Sequence, residues 1–187
     1  MKKLIALLLA PVLAGCLTAT SPEVSLWNLE YAGCSHPAQT AKYDVVRISQ
    51  VLVRSPYNVT GIAVLRSNGS VAFDPCNEYA ALPSSLMKGV VFEAMAASGL
   101  CRTVINPSSS ATSSASLEVM ATKLALDCRQ EGERKAVASV RVRIVAADGA
   151  ASYAQGDGES DAKGGNYGAA LSAALSTALN SAFEQFR

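Results

Sequence analysis

The sequence has very few of the side chains on which most enzymes depend, above all histidine. Only one of its 187 residues is a histidine, His36, and it stands between Cys34 and Pro37 in a segment without apolar periodicity. A serine hydrolase would have to use this imidazole, yet the Gly-x-Ser-x-Gly elbow that exposes such a serine does not occur. We therefore interpret His36 as a solvated loop residue, and we expect no enzymatic activity.

Patterns that bind metals are also weak. Carboxylates alternate at Asp157, Glu159 and Asp161. A calcium-binding EF-hand loop needs glycine at its sixth position and glutamate at its twelfth, but Ala162 and Gly168 stand there. We interpret the three carboxylates as a solvated strand end and expect no metal.

Cofactor motifs built on glycine or cysteine are missing as well. Gly156 and Gly158 lack the third glycine and the preceding strand-to-helix context of a dinucleotide site. No CxxC pair occurs, and the cysteines beyond the N-terminal segment are 25 residues or more apart, which argues against a zinc site. The sequence therefore predicts no bound cofactor.

A charge excess, abundant aromatic residues and long apolar runs are absent too. Lys and Arg number 16 against 15 Asp and Glu, so nothing indicates nucleic acid or a broad anionic surface as the partner. Aromatic residues make up 6% of the chain, too few to favour a deep acyl-binding cavity. The apolar run from Leu4 to Leu13 is shorter than the roughly 18 residues of a membrane-spanning helix.

The first residues instead have the features of an export signal. Lys2 and Lys3 precede the short apolar run, and small residues lead directly into Cys16 in the sequence Leu-Ala-Gly-Cys. This pattern is typical of a bacterial lipobox. We predict that residues 1–15 are a signal peptide, and that Cys16 of the mature lipoprotein carries a diacylglycerol and an N-linked acyl chain such as palmitate. The alternative is an ordinary secretory signal with a chance cysteine.

The predicted anchor determines the compartment. Each buried methylene contributes about 0.8 kcal/mol, so several acyl chains make the tether effectively permanent. Leu17 follows the cysteine in place of the aspartate that usually retains lipoproteins at the inner membrane. We therefore expect residues 16–25 to form a tether at the periplasmic face of the outer membrane, and residues 26–187 to form one periplasmic domain.

Four further cysteines, in an oxidising compartment, predict two disulfides. A bridge requires Cα atoms within about 7 Å. A helix over residues 83–98, roughly 24 Å long, would separate Cys76 from Cys101. The remaining pairings are Cys34–Cys76 with Cys101–Cys128, or Cys34–Cys101 with Cys76–Cys128. We favour the first, because Cys101 and Cys128 flank a predicted hairpin.

Periodicity in residues 26–187 predicts an α+β fold. Asn68-Gly69 joins two β-rich runs, a strong hairpin signal, and residues 136–146 alternate between apolar and polar positions. Amphipathic helices are predicted over 83–98 and 166–186. We expect two amphipathic helices packed on one face of a largely antiparallel sheet of about six strands. The serine-rich segment 106–114 is either a mobile loop or a surface that orders on a partner.

The stretch from Asn77 to Val104 resembles a known family. It reads Asn-Glu-Tyr-Ala-Ala-Leu-Pro and then, after the helix, Ser-Gly-Leu-Cys-Arg-Thr-Val. This arrangement resembles the ABC-type transport auxiliary lipoproteins, the paraquat-inducible protein C-like components of mammalian-cell-entry (MCE) lipid transport systems. Tyr79 stands where the family commonly has Trp, and Cys101 where it commonly has Phe. The positions that carry the resemblance are Glu78, Tyr79, Pro83, Leu86 and Gly99.

The resemblance implies a function and a partner. The protein would be a non-enzymatic accessory lipoprotein that binds a periplasmic MCE-domain protein and assists phospholipid movement between the two membranes. We expect the partner at the 106–116 loop or at the polar sheet face that bears Arg141 and Arg143. The alternative is a regulatory lipoprotein that activates an envelope or cell-wall enzyme.

Overall fold

The computed structural model describes residues 23–34 and 36–187, so the predicted signal peptide, Cys16 and most of the tether lie outside the described residues. Within this part of the chain, no helix is long and apolar enough to span a membrane. The elements are β1 (Ser25–Trp27), β2 (Tyr43–Val53), β3 (Gly61–Arg66), β4 (Val71–Tyr79), α1 (Pro83–Ala97), β5 (Cys101–Ile105), β6 (Ala115–Cys128), β7 (Lys135–Ala146), β8 (Ala151–Asp161) and α2 (Tyr167–Glu184).

The sheet is organised around β6, its longest strand. One edge of β6 pairs along its length with antiparallel β7, which pairs in turn with β8. The other edge is shared, because residues 115–121 pair with β2 and residues 126–128 pair with β3. β5 lies beyond β2, while β4 and then β1 lie beyond β3. The sheet therefore forks on one side of β6.

The predicted sheet type is wrong, although the α+β class holds. The described sheet has eight strands, and four of its seven pairings are parallel: β1–β4, β2–β5, β2–β6 and β3–β6. The connection through α1 brings the chain back to start β5 parallel to β2. Parallel partners need such long crossover connections. The alternation of apolar residues predicts which face of a strand is buried, but it does not predict which strand pairs with it. Both helices do lie on one face, in contact with each other over a single core.

The first helix begins and ends where its sequence signals predict. Pro83 occupies its start, and the buried side of the helix includes Met87, Val91 and Met95. Gly99 follows with φ +73°, and a Cβ there would lie 2.3 Å from the carbonyl oxygen of Ala38. Glycine is required at this position because the turn has a positive φ and passes directly against the 36–42 segment.

The second helix packs against β8 with almost no space between them. A Cβ on Gly156 would lie 1.9 Å from the carbonyl oxygen of Ala178, and one on Gly158 would lie 2.1 Å from that of Ala174. The helix presents alanines where it crosses the two glycines, so backbone meets backbone. The Gly-x-Gly pattern therefore serves close helix–sheet packing.

The fold holds the cysteines of the favoured disulfide pairing apart, and none of the four is bridged in it. Cys101 pairs with Tyr43 near the point where β6 begins, whereas Cys128 ends β6. From Ala115 to Cys128 the strand runs about 43 Å at roughly 3.3 Å per residue, far beyond the reach of a disulfide.

The second pairing fails for a similar reason. Cys76 lies in β4 and Cys128 in β6, and β3 lies between these two strands. Neighbouring strands are about 4.8 Å apart, so the two Cα atoms are at least about 9.5 Å apart. Each pairing that the sequence left open therefore contains one pair of cysteines that this fold holds apart.

Candidate partner-binding face

The sheet face opposite the helices has an exposed surface of mixed apolar and charged character. Two cross-strand rows run across it from β2 to β8 and define what we call the outer groove. The rows are Gln50–Glu118–Arg143–Tyr153 and Leu52–Met120–Arg141–Gln155. The groove has a volume of ≈ 590 Å³ and is open to solvent along its length.

Three large apolar side chains in the outer groove are exposed. Tyr153 is 71% exposed, Leu52 39% and Met120 37%. Single exposed apolar residues are ordinary, but Leu52 and Met120 lie side by side on adjacent strands, and Tyr153 lies two strands further along the same face. Such a grouping typically marks an interaction site.

The charges of the outer groove are only partly neutralised. Arg143 donates to Glu118 at 3.1 Å and lies 5.8 Å from the centre of the Tyr153 ring. The hydrogen bond to Glu118 raises the pKa of the Arg143 guanidinium, which stays cationic. Arg141 is exposed and, among the described residues, has neither an ion pair nor a side-chain hydrogen bond.

The other half of the outer face is covered by the β2–β3 connection. Ala63, Ala125 and Val137 form a second small apolar cluster there, and Tyr57 from the β2–β3 connection packs against it. The exposed carboxylates of β8 lie on the same half, where Asp157 accepts from Ser139 and Glu159 is 3.7 Å from Lys135. Within the described residues, no group of three or more ligating side chains is placed to hold a metal ion.

The serine-rich loop borders the open half of the outer face, and Arg47 organises it. The Arg47 guanidinium donates to the carbonyl oxygens of Pro107 at 3.2 Å and Ser109 at 2.7 Å, and also to that of Ala111. One side chain thus satisfies several loop carbonyls at once, as the fork of an arginine allows. The sequence pattern of the loop carries no sign of this arrangement.

The chain enters the domain at the end opposite this loop. Trp27 of β1 packs against Tyr167, where α2 begins, with ring centres 6.4 Å apart. Lys42, just before β2, donates to the carbonyl oxygen of Phe186, where the chain leaves α2. The 18 residues of α2 therefore separate the two ends by about 27 Å. The described chain begins at one end, and the 106–114 loop lies at the other.

A row of polar side chains on α2 binds residues 30–33, which we call the entering segment. The sequence analysis missed this row. Ser172 accepts from the backbone N–H of Glu30 at 3.0 Å, and Ser176 accepts from that of Ala32 at 2.9 Å. Asn180 donates to the carbonyl oxygen of Gly33. These helix residues are spaced four apart, so they form one line on the helix surface. That spacing on an otherwise alanine- and leucine-rich helix is the signal that would have revealed the row.

Removing the two serine hydroxyls should free the entering segment. In the double variant S172A/S176A the amides of Glu30 and Ala32 lose their acceptors. We expect their hydrogen exchange to speed up by at least tenfold, and the free energy of unfolding to fall by about 2 kcal/mol. Thr177→Ala, an exposed change on the same helix, is the control and should alter neither quantity. Unchanged exchange at both amides in the double variant would contradict the assigned role.

The residues that carry the family resemblance form a structural unit. Glu78 lies in β4 beside Leu26 of β1, and Tyr79 ends the strand with 2% exposure. Pro83 begins α1 and Leu86 packs against the core from its partly buried side. These residues join the forked part of the sheet to the helix layer. Together with Gly99 they position α1, and they lie away from the outer groove.

Tyr79 contains a polar atom that the core does not satisfy. Its hydroxyl is buried without a hydrogen-bond partner among the described residues, and burial raises the pKa of this phenol. Tyr79→Phe should therefore raise the free energy of unfolding, by about 1 kcal/mol. The gain should grow above pH 10, because the unfolded wild type then ionises Tyr79 while the folded protein does not.

Tyr31 provides the matched control, since its hydroxyl donates to Asn180 at 2.8 Å. Tyr31→Phe should lower the free energy of unfolding by about 1 kcal/mol at neutral pH. Denaturant unfolding of both variants at pH 7 tests the opposite signs, and a second measurement of Tyr79→Phe above pH 10 tests the titration. Equal destabilisation by the two changes would show that the Tyr79 hydroxyl has a partner after all.

Comparisons with known proteins support the fold. No family model matches the sequence, and no curated protein matches it. A crystal structure of a Xanthomonas campestris protein of the family DUF330 superimposes with a TM-score of 0.64 at 13% identity, covering 87% of this chain and 92% of that one. Another, described only as an uncharacterized protein, has a TM-score of 0.57 at 11% identity, covering 76% and 90%. The chain therefore shares its fold with a DUF330 protein.

Proposed function

We propose that this protein is a non-enzymatic lipoprotein of the outer membrane that binds a periplasmic MCE-domain protein as an accessory component of an ABC-type lipid transport system. The resemblance over residues 77–104 supports the choice of partner. The lipobox at Cys16 supports the anchor. The observation that carries the proposal is the placement of the chain entry and the exposed surface at different ends of the domain. The tether enters at one end, while the 106–114 loop and the open outer groove lie toward the other.

This arrangement lets the anchor orient the domain relative to the membrane. From Cys16 to Ser25 the chain reaches at most about 30 Å, so the domain stays close to the membrane and its far end points into the periplasm. A tethered domain meets a periplasmic partner at high effective concentration, and modest intrinsic affinity then suffices.

Co-purification tests the proposal. The full-length lipoprotein, tagged at its C-terminus and extracted from envelopes in mild detergent, should enrich the MCE-domain protein encoded beside it. A lipoprotein of similar size from the same membrane serves as the control bait. Enrichment of a peptidoglycan synthase in place of the MCE-domain protein would move the assignment to the regulatory alternative.

A further inference from the structure

The outer groove has the shape of a docking surface for a polypeptide. It is open along its length, so it cannot enclose the 70–90% of a small ligand's surface that is usual in a binding pocket. Its four strands span about 14 Å across, which accommodates a helix about 10 Å wide or an extended segment with its side chains. A segment of a second protein therefore fits this face better than a small molecule does.

The chemistry of the groove selects an occupant. Leu52 and Met120 stand side by side on neighbouring strands and form an apolar floor. Arg141 lies next to Met120 in the same row and lacks an anionic partner among the described residues. An occupant that covers the floor would desolvate this cation, so it must bring a carboxylate to it.

Arg141 determines which sign of charge the groove prefers in its occupant. Beyond the groove, Asp157 and Glu159 continue along β8, but Lys123 shares the cross-strand row of Asp157 and Lys135 lies 3.7 Å from Glu159, so that end is mixed in charge. An acidic occupant is therefore attracted to Arg141, and such complementarity suppresses wrong partners. A basic segment would be repelled from this cation.

From these contacts we infer that the outer groove binds an amphipathic, acidic segment of the MCE-domain partner, with apolar side chains over Leu52 and Met120 and a carboxylate paired with Arg141. The inference rests on the proposed function and identifies the surface through which it operates. The cationic head of Arg143 stays paired with Glu118 and shapes the wall of the groove.

Binding measurements on groove variants test the inference. Full-length lipoprotein in nanodiscs is titrated with the purified MCE-domain protein, and the dissociation constant is measured at low and physiological salt. Arg141→Glu should weaken binding at least about tenfold, and Arg141→Lys should stay within about threefold of wild type. Met120→Ser should weaken binding without altering its salt dependence. The wild-type affinity should decrease as salt increases.

The matched control is Arg102→Glu, which makes the same charge change on β5. Arg102 is 78% exposed and lies 3.7 Å from Asp44, away from the outer groove, so this variant should bind like wild type. Thermal unfolding of each variant establishes that the exposed changes leave the fold intact.

The outcomes separate the two proposals. Wild-type binding that Arg141→Glu and Met120→Ser leave unchanged would overturn the groove while the proposed function stands. No binding by wild type at any salt concentration would overturn the proposed function and, with it, the groove's occupant. Weakening by Arg102→Glu equal to that by Arg141→Glu would show a non-specific charge effect and overturn the groove.

Discussion

Gly158→Ala should strongly destabilise the domain. The new Cβ would lie 2.1 Å from the carbonyl oxygen of Ala174 and 2.7 Å from the amide nitrogen of Ala178. Both are backbone atoms of α2, so no side-chain rotation relieves the clash, and the helix must move away from β8. We expect the free energy of unfolding to fall by about 3 kcal/mol.

The size of this effect follows from what the helix covers. The side chains of Leu171, Leu175 and Leu179 have no exposed surface and form the centre of the core under α2. Lifting the helix opens voids around them, and interiors packed at crystal-like density do not tolerate such voids. The double variant G156A/G158A should therefore fail to accumulate as folded protein, since domain stabilities are typically about 5–15 kcal/mol.

Gly164→Ala is the control for this experiment. Gly164 lies in the β8–α2 connection, and a Cβ there meets no atom within 4 Å. Urea unfolding should give a free energy within about 0.5 kcal/mol of wild type for this variant. If Gly158→Ala unfolded at the same urea concentration as Gly164→Ala, the close approach of α2 to β8 would be contradicted.

Cys16→Ser should abolish lipid anchoring at the outer membrane. The acyl transfer needs the thiol, because a thioether forms between the cysteine sulfur and the diacylglycerol, and cleavage follows acylation. We expect uncleaved precursor, no incorporation of labelled palmitate, and loss of the protein from the outer-membrane fraction. Cys34→Ser, which removes a thiol from the body of the domain, should leave labelling and fractionation unchanged.

Normal lipidation and sorting of Cys16→Ser would contradict the predicted outer-membrane location. If the variant were lipidated and sorted like wild type, the anchor would lie elsewhere and the tether could not begin at residue 16. If neither wild type nor the variant took up the label, the N-terminal segment would be an ordinary secretory signal.

The positions of the secondary-structure elements could be predicted from local patterns. Pro83 and Gly99 bracket a helix that spans Pro83–Ala97, and the alternation of Val140, Val142 and Ile144 lies within β7. Such signals depend on residues only a few positions apart, so one sequence contains all of the information they need.

Strand partners and long-range distances could not be predicted in the same way. Nothing local distinguishes β6 pairing with β2 over 115–121 from pairing with β3 over 126–128, so the fork and the parallel pairings remained hidden. The choice of cysteine pairing needs the same long-range information, because Cys101 and Cys128 flank a loop in sequence, whereas in the fold Cys101 pairs with β2 near the start of β6 and Cys128 ends β6.

The candidate site was predicted only in part. Alternation placed Arg141 and Arg143 on the polar face of one strand. The apolar floor was not foreseen, because Leu52 and Met120 come from strands far apart in sequence and meet only through a parallel pairing. The arrangement of the 106–114 loop likewise depends on Arg47, which lies in another strand.

Site-specific photocrosslinking in living cells tests the central claim most directly. A photoreactive phenylalanine analogue replaces Tyr153, the most exposed aromatic side chain of the outer groove, in the full-length lipoprotein expressed at its native level. The same analogue at Phe73, a 46% exposed residue of β4 away from the groove, is the control. We predict that position 153, and not position 73, forms a covalent product containing the MCE-domain protein. A product containing only a cell-wall enzyme, or equal yields of the MCE-domain protein from both positions, would contradict the account.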